Sequence, residues 1–181
     1  MTRYLSAWGF QAIAIDISAS DVDGLRAGRT FLNQGATFHR LRGEMERLPL
    51  ASHTASLIAA NASFHYAQDS RAALSELVRV LARSGRIVIV DTPFYVRAAD
   101  GERMMSDRAA AFERQYGLTQ ASARWSRYMT FAGMSALAAS LDLKCRIIPV
   151  WPGPRRTLQA LRARTRRRRL AQFPIVVFER P

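Results

Sequence analysis

The sequence predicts a single α/β domain whose mostly parallel sheet is flanked by helices. Strand-like apolar runs alternate with helical patterns through the first half of the chain, an order typical of parallel sheets covered by helices. A strand–helix–strand unit with short joints lies in the middle, and such units are almost always right-handed. The 181 residues and the 49% hydrophobic content suit one domain with a substantial core.

The clearest unit lies within residues 43–91. An apolar run over residues 55–60 predicts a strand, and apolar residues spaced i, i+3, i+4 and i+7 over residues 74–81 predict a helix. In residues 86–91, Arg86 is followed by four β-branched residues and a final acid, which is typical of a strand buried on both faces. This unit is therefore expected to form the centre of the sheet.

Capping residues define the expected helix ends. Asp69 or Ser70 can cap the start of the central helix, and Gly85 is expected at the left-handed position just past its end. Gly9 and Gly35 are expected to end two earlier helices in the same way.

The remaining elements follow from the same patterns. Before the central unit we predict the tail of a helix up to Gly9, a strand over residues 10–16, a helix from a cap within residues 18–21 to Asn33, and a strand over residues 36–41. After it we predict a helix over residues 102–116, a helix capped by Thr130, a strand over residues 145–150, a basic helix from Arg155 to Arg169, and a strand over residues 173–178.

Composition narrows the class of protein. The single cysteine, Cys145, excludes an internal disulfide and lies in an apolar run, as a buried inert thiol would. His39 and His53 have no partners at metal-ligand spacing, so no metal site is predicted. No apolar run reaches the roughly 18 residues of a membrane span, and residues 1–10 lack the features of a signal peptide. A cytoplasmic protein is expected.

The net charge of +13 is concentrated near the C-terminus. Residues 155–169 contain eight arginines and no acid. Such a stripe can bind nucleic acid or an acidic partner, which would make the chain a non-enzymatic binding module. The alternative is a solvated helical face, the commoner meaning of a charge run.

Three motifs occur in order within residues 43–91: G-E-M-E-x-L-P-L, S-F-H-Y-A-Q-D and L-S-E-L-V-R-V-L-x-x-S-G-R-I-V-I-V-D. Their order and separation resemble those of the Rossmann-like, class I S-adenosylmethionine-dependent methyltransferases, in the quinone-biosynthesis-type branch. The resemblance implies S-adenosylmethionine as cofactor, methyl transfer to a small-molecule acceptor, and an antiparallel strand pair at the end of the sheet. It divides the domain into a cofactor side at residues 1–91, substrate-side helices at 92–144, and the strand pair with its basic helix at 145–181.

The candidate cofactor residues lie at strand ends, where ligands bind in open α/β sheets. The resemblance implies that Asp16 binds the cofactor ribose and that Ile17 packs on the adenine; the alternative is that Asp16 only caps the next helix. It also implies adenine contacts for the Glu44 side chain and the Met45 backbone. The family usually carries Asp where Glu44 stands, and a solvated turn acid is the alternative. Asn61 is expected beside the methionine part of the cofactor.

The substrate side is expected to follow the next strand ends. His65, followed by Tyr66, is a candidate acceptor of a substrate proton, because the ordinary pKa of histidine is near 6.5. The alternative is a structural or exposed histidine. Asp91 is expected to line the same side. An aromatic wall is predicted from Phe94, Tyr95, Trp125 and Tyr128, with core packing as its alternative.

The glycine-rich loop of the family does not occur. The ten glycines are scattered singly, without G-x-G-x-G. In the family, that loop and its strand come before the first helix, and the strand lies between those ending here at Asp16 and Asn61. Three explanations stay open: a truncated reading frame, a degenerate paralogue (for instance a subunit completing a partner's sheet), or direct pairing of the two flanking strands. We expect truncation, because residues 1–9 resemble the back half of the family's first helix.

Overall fold

A computed structural model describes residues 1–117, 128–151, 153–154 and 169–181. The helices are α1 (Thr2–Ala7), α2 (Arg29–Asn33), α3 (Ser70–Val80), α4 (Ala98–Tyr116) and α5 (Phe131–Ala139). The strands are β1 (Ala12–Asp16), β2 (Phe38–Arg42), β3 (Ala55–Asn61), β4 (Leu81–Val90), β5 (Phe94–Tyr95), β6 (Met129–Thr130), β7 (Lys144–Ile148) and β8 (Ile175–Glu179). Short 3₁₀ turns cover Leu25–Gly28 and Phe64–Tyr66.

The strand pairings confirm the predicted fold class. β1 and β2 pair in parallel, and β3 and β4 pair in parallel in a four-stranded sheet of order β3-β4-β8-β7. β8 runs antiparallel to both β4 and β7, as expected for the C-terminal strand pair. A short parallel pair, β5 and β6, stands apart.

β1 and β3 belong to two separate sheets. In the part of the chain that the structure describes, β1 pairs only with β2, and β3 pairs only with β4. Direct pairing of these two flanking strands, one of the three explanations left open above, is therefore wrong. Among the described strands, β1 and β3 are therefore edge strands, each with one side that has no sheet partner.

The hydrophobic core belongs to the four-stranded sheet and the helices α3 and α5. Its fully buried members include Leu74, Ile87, Ile89 and Phe178. Of the buried hydrophobic residues, only Ala12 comes from the part of the chain before β3. Large apolar side chains there are exposed instead: Tyr4, Trp8, Phe10, Ile13, Ile17, Val22 and Phe31.

The helix predicted from residues 18–21 to Asn33 is shorter than expected. Residues 18–20 are irregular, residues 21–24 form bends, a 3₁₀ turn follows, and α2 starts only at Arg29. Serine side chains hold the bends, because Ser18 Oγ accepts a hydrogen bond from the Ser20 backbone N–H and Ser20 Oγ accepts one from Val22. Such local bonds compete with helix formation.

Gly85 does not end the central helix, so that prediction was wrong. The chain becomes extended at Leu81, whose φ of −66° and ψ of 127° end α3 and begin β4. The pairing of β4 with β3 then shifts register between Ala55 and Leu57, so residues 82–85 form a bulge. A Cβ on Gly85 would press on the Leu81 side chain and the Ala55 carbonyl, so glycine is needed here for space.

Other end signals are confirmed. Asp69 caps α3 by accepting hydrogen bonds from two backbone N–H groups, and Thr130 caps α5 through the Gly133 N–H. Gly9 and Gly35 follow α1 and α2 with φ near +88°. None of the helices described has both the length and the apolar character needed to cross a bilayer.

Candidate functional site

Asp16 and Glu44 lie beside each other at one edge of the sheet. Asp16 ends β1 and pairs with Arg42, the last residue of the parallel neighbour β2. The backbone N–H of Gly43 then donates to the Asp16 carbonyl at 3.1 Å. Glu44 is the next residue after Gly43. Both acids therefore lie at the carboxyl ends of neighbouring parallel strands, which is where ligands bind in open α/β sheets.

The Asp16 carboxylate is half-buried and already has one partner. Its Oδ1 accepts a hydrogen bond from the Ser18 backbone N–H at 2.8 Å, so Asp16 does hold the turn after β1. An ionised carboxylate has about four acceptor positions, and this bond occupies one. The turn role and a ligand role are therefore compatible.

The neighbouring candidates Ile17, Glu44 and Met45 differ in how far their side chains are exposed to solvent. The Ile17 side chain is 53% exposed at the end of β1, where an apolar ligand surface could cover it. Glu44 is exposed in a tight turn closed by the Arg47 N–H donating to its carbonyl at 3.1 Å. The Met45 side chain packs against the core, which agrees with a role for its backbone alone.

Asn61 stands at the corresponding end of β3. Its side chain is exposed and its backbone pairs with Val90. Ala62 then turns with a φ of 51°, and its N–H donates to the Val90 carbonyl at 3.0 Å. The structure does not bring Asn61 and Asp16 into contact through sheet pairing, because their strands belong to two separate sheets.

His65 lies just beyond β3 and faces the end of β4. Its Nδ1 is 3.4 Å from the Thr92 hydroxyl, and its ring lies 4.2 Å from that of Tyr66, centroid to centroid. Burial lowers the pKa of His65; nearby Asp91 raises the pKa and Arg108 lowers it further, with a net decrease. The imidazole is therefore neutral at pH 7 and able to accept a proton.

Sequence reasoning did not find Thr92 or Arg108. Thr92 is completely buried and follows Asp91 directly at the end of β4, so its position next to a strand-end acid was the available signal. Arg108 lies on α4, and only the tertiary structure brings its charge near His65.

The predicted aromatic wall is mostly core packing. Phe94 and Tyr95 are buried. Their rings contact Phe131 and Tyr128 with centroid distances of 5.3 and 5.8 Å. Trp125 lies outside the described residues. Asp91 is exposed at a φ of 53°, a left-handed conformation that is uncommon for a residue other than glycine.

The remaining histidine and cysteine residues considered in the sequence have surroundings that are typical of residues with a structural role. Among the described residues, no group of three or more His, Cys, Asp or Glu side chains could hold a metal ion. His53 Nδ1 lies 3.2 Å from the Leu81 carbonyl. Burial raises the pKa of the half-buried Cys145 thiol, as expected for an unreactive cysteine. The predicted basic helix lies outside the described part of the chain except for Arg169.

Comparison with known proteins agrees with this geometry. Residues 1–89 match the model of a family described as a methyltransferase domain. No curated protein sequence matches the chain.

Solved structures share the fold at low sequence identity. Geranyl diphosphate C-methyltransferase from Streptomyces coelicolor A3(2), solved with Mg²⁺, geranyl diphosphate and S-adenosyl-L-homocysteine, has a TM-score of 0.69 at 17% identity over 98% of this chain and 68% of its own. YcgJ from Bacillus subtilis has a TM-score of 0.64 at 15% identity over 98% and 86%. PH0226 from Pyrococcus horikoshii OT3 has a TM-score of 0.65 at 15% identity over 98% and 75%.

The fold is therefore that of the Rossmann-like methyltransferases, and the N-terminal half carries the match to their domain model. Two acids, Asp16 and Glu44, and the exposed aliphatic side chain of Ile17 lie together at the carboxyl end of the β1–β2 pair. In the residues described, no further strand pairs with the open side of β1 or of β3.

Proposed function

We propose that this chain has the site of an S-adenosylmethionine-dependent methyltransferase acting on a small molecule. The observation that carries the proposal is the pairing of β1 with β2, which brings Asp16 and Glu44 to the carboxyl end of two parallel strands, where open α/β sheets bind ligands. The domain match over residues 1–89 supports the same cofactor.

Each strand-end residue has a role in this proposal. The Asp16 carboxylate accepts hydrogen bonds from the ribose hydroxyls, Ile17 covers one face of the adenine, and Glu44 accepts from the adenine amino group. The Met45 backbone contacts the ring, and Asn61 lies on the methionine side. The cofactor, when bound, supplies a methyl group on a positively charged sulfur. The chain contributes mainly by positioning the two molecules and excluding water.

His65 is the proposed proton acceptor for the substrate. Its neutral imidazole lies at the carboxyl ends of β3 and β4, and Thr92 orients Nδ1. A proton leaving an acceptor hydroxyl or amine would bind at the free Nε2. Placement next to the site, with a pKa below the ordinary 6.5, supports this role.

Calorimetry with S-adenosylhomocysteine tests the proposal. We expect binding by the chain, and at least a tenfold loss of affinity in Asp16→Asn, because the neutral amide has fewer acceptor positions. Asp23→Asn, an exposed acid in the bends after β1, is the matched control and should bind normally. Equal affinity of both variants would remove Asp16 from the site.

The lack of a strand between β1 and β3 in the described part of the chain affects whether this chain can bind the cofactor and transfer a methyl group. The two unpaired edges support a further strand between β1 and β3, as in the truncated reading frame expected from the sequence. Genomic DNA upstream of Met1 tests this: an in-frame strand followed by a glycine-rich segment supports truncation, and a stop codon directly upstream contradicts it. If neither this chain nor a version extended by such a segment binds S-adenosylhomocysteine, the methyltransferase proposal fails. The assignment to the quinone-biosynthesis-type branch and the cytoplasmic localisation both remain predictions.

A further inference from the structure

An open groove lies outside the carboxyl ends of the two central parallel strands. It is bordered by Ser70, which begins α3 after the turn that follows β3. Its other walls are α4, β6 and α5, and β6 pairs with β5, which follows the end of β4. The groove is therefore on the same side of the sheet as His65, where open α/β folds bind their ligands.

The groove is lined by apolar side chains. Its volume is about 570 Å³, within the range of small-molecule sites. In the described part of the chain, the residues that line it are Ser70, Ala98, Met105, Tyr128, Met129, Thr130, Gly133, Met134 and Leu137. None of these residues is charged, and three are methionines, whose flexible thioethers adapt to irregular apolar shapes.

The polar groups in the lining are largely occupied. The Thr130 hydroxyl accepts the Gly133 N–H at 3.0 Å as the cap of α5. The Tyr128 hydroxyl donates to Glu102 at 3.4 Å. Among the lining residues that the structure describes, none carries a charge, and the nearby Glu102 carboxylate already accepts from Tyr128, so a charged ligand would lose its hydration here with little compensation. An apolar ligand has little hydration to lose and would cover the partly exposed side chains of Met105 and Leu137.

We propose that this groove binds the apolar body of the methyl acceptor, and that the acceptor is an uncharged hydrophobic small molecule. The role as acceptor site rests on the proposed methyltransferase function. The binding of an apolar molecule does not, because it follows from the lining alone. The two statements can therefore fail separately.

The first test uses N-phenyl-1-naphthylamine, a neutral dye whose fluorescence rises in apolar sites. Met105→Gln places an amide in the groove, whereas Met104→Gln makes the same change at a half-buried neighbour on α4 that does not line it. We expect the dissociation constant of the dye to rise at least fivefold for Met105→Gln and to stay unchanged for Met104→Gln. Dye bound to the exposed apolar residues near the N-terminus contributes equally to both variants. Equal affinities would overturn the proposal.

A second pair fills the groove. Ala98 is exposed at the start of α4 and lines the groove, while Ala111 is exposed on the same helix outside it. Their separation of 13 residues, at about 100° per residue, places them on different faces of α4. We expect Ala98→Trp to reduce the bound dye at least fivefold and Ala111→Trp to leave it unchanged, with circular dichroism confirming that both fold.

The same samples separate this proposal from the methyltransferase function. If dye binding responds as expected but S-adenosylhomocysteine produces no heat even with an extended chain, the groove is an apolar site of another kind of protein. If S-adenosylhomocysteine binds and the dye affinity is the same in all four variants, the acceptor class proposed here is wrong.

Discussion

Glu76 and Arg79 form a partly buried, two-point ion pair on α3. Arg79 Nε lies 2.7 Å from Glu76 Oε2, and Arg79 Nη2 lies 2.7 Å from Glu76 Oε1. The Leu48 N–H donates to the same Oε1 at 2.8 Å, and Nη2 also donates to the Leu50 carbonyl at 2.8 Å. The pair therefore binds the segment before β3 to the helix after it, which gives the L-P-L and E-L-V-R motifs a shared structural role.

Removing this acid should destabilise the fold. We expect Glu76→Ala to lower the free energy of unfolding by about 1–2 kcal/mol, since the Leu48 N–H and Arg79 both lose an acceptor. The hydrogen bond from Arg79 is the main cause of the lowered pKa of Glu76, opposed by burial. The contribution is therefore present above the unfolded pKa, near 4.3, and lost as pH falls through the lower folded pKa.

Urea unfolding at pH 7 measures this effect. Glu113→Ala, at an exposed position of α4, is the matched control and should change stability by less than about 0.5 kcal/mol. Equal stability of the two variants would show that the ion pair contributes nothing.

The pKa of His65 should respond to its two charged neighbours. Asp91→Asn should lower the pKa further, and Arg108→Gln should raise it, because the first removes a stabilising negative charge and the second a repelling positive one. NMR titration of the His65 ring measures both shifts, with Asp23→Asn as a remote control. Because the folded pKa is below 6.5, stability should fall as pH drops through about 6.5. A His65 pKa at or above 6.5 contradicts the burial argument.

Gly101 is required by the ring of Tyr128. A Cβ at Gly101, a buried position in α4, would overlap the Tyr128 ring, which also meets Tyr95 edge to face. We expect Gly101→Ala to destabilise the fold by about 1–3 kcal/mol although alanine favours helix. A double-mutant cycle with Tyr128→Ala checks the cause: in that background, Gly101→Ala should be neutral or stabilising. A destabilisation that persists there would rule out the ring contact.

The β1–β2 unit should open more readily than the rest of the sheet. Its strands contribute only Ala12 to the buried residues, and Ile13 is 41% exposed, whereas β4 contains the fully buried Ile87 and Ile89. Hydrogen exchange should therefore be at least a hundredfold faster in β1 and β2 than in β4 and β8, as expected for regions with few buried contacts. Equal protection of both units would mean that they unfold together.

The sequence determined the local elements and the strand ends. Hydrophobic periodicity and capping residues act within a few positions along the chain, so the caps at Asp69 and Thr130 and the strand ending at Asp16 could be predicted. That the ends of β1 and β2 lie side by side could also be predicted, because the carboxyl ends of neighbouring parallel strands lie at the same end of a sheet.

Only the tertiary structure decided how those elements meet. Apolar patterns indicate which face of a strand is buried and do not identify its neighbour, so the bulge at Gly85 and the contact of His65 with Thr92, 27 residues away, could not be predicted. The groove beside α4 and α5 is likewise made by residues from distant segments. The sequence left direct pairing of β1 with β3 open, and only the tertiary structure decided against it, because sheet pairing depends on contacts between residues far apart in the chain.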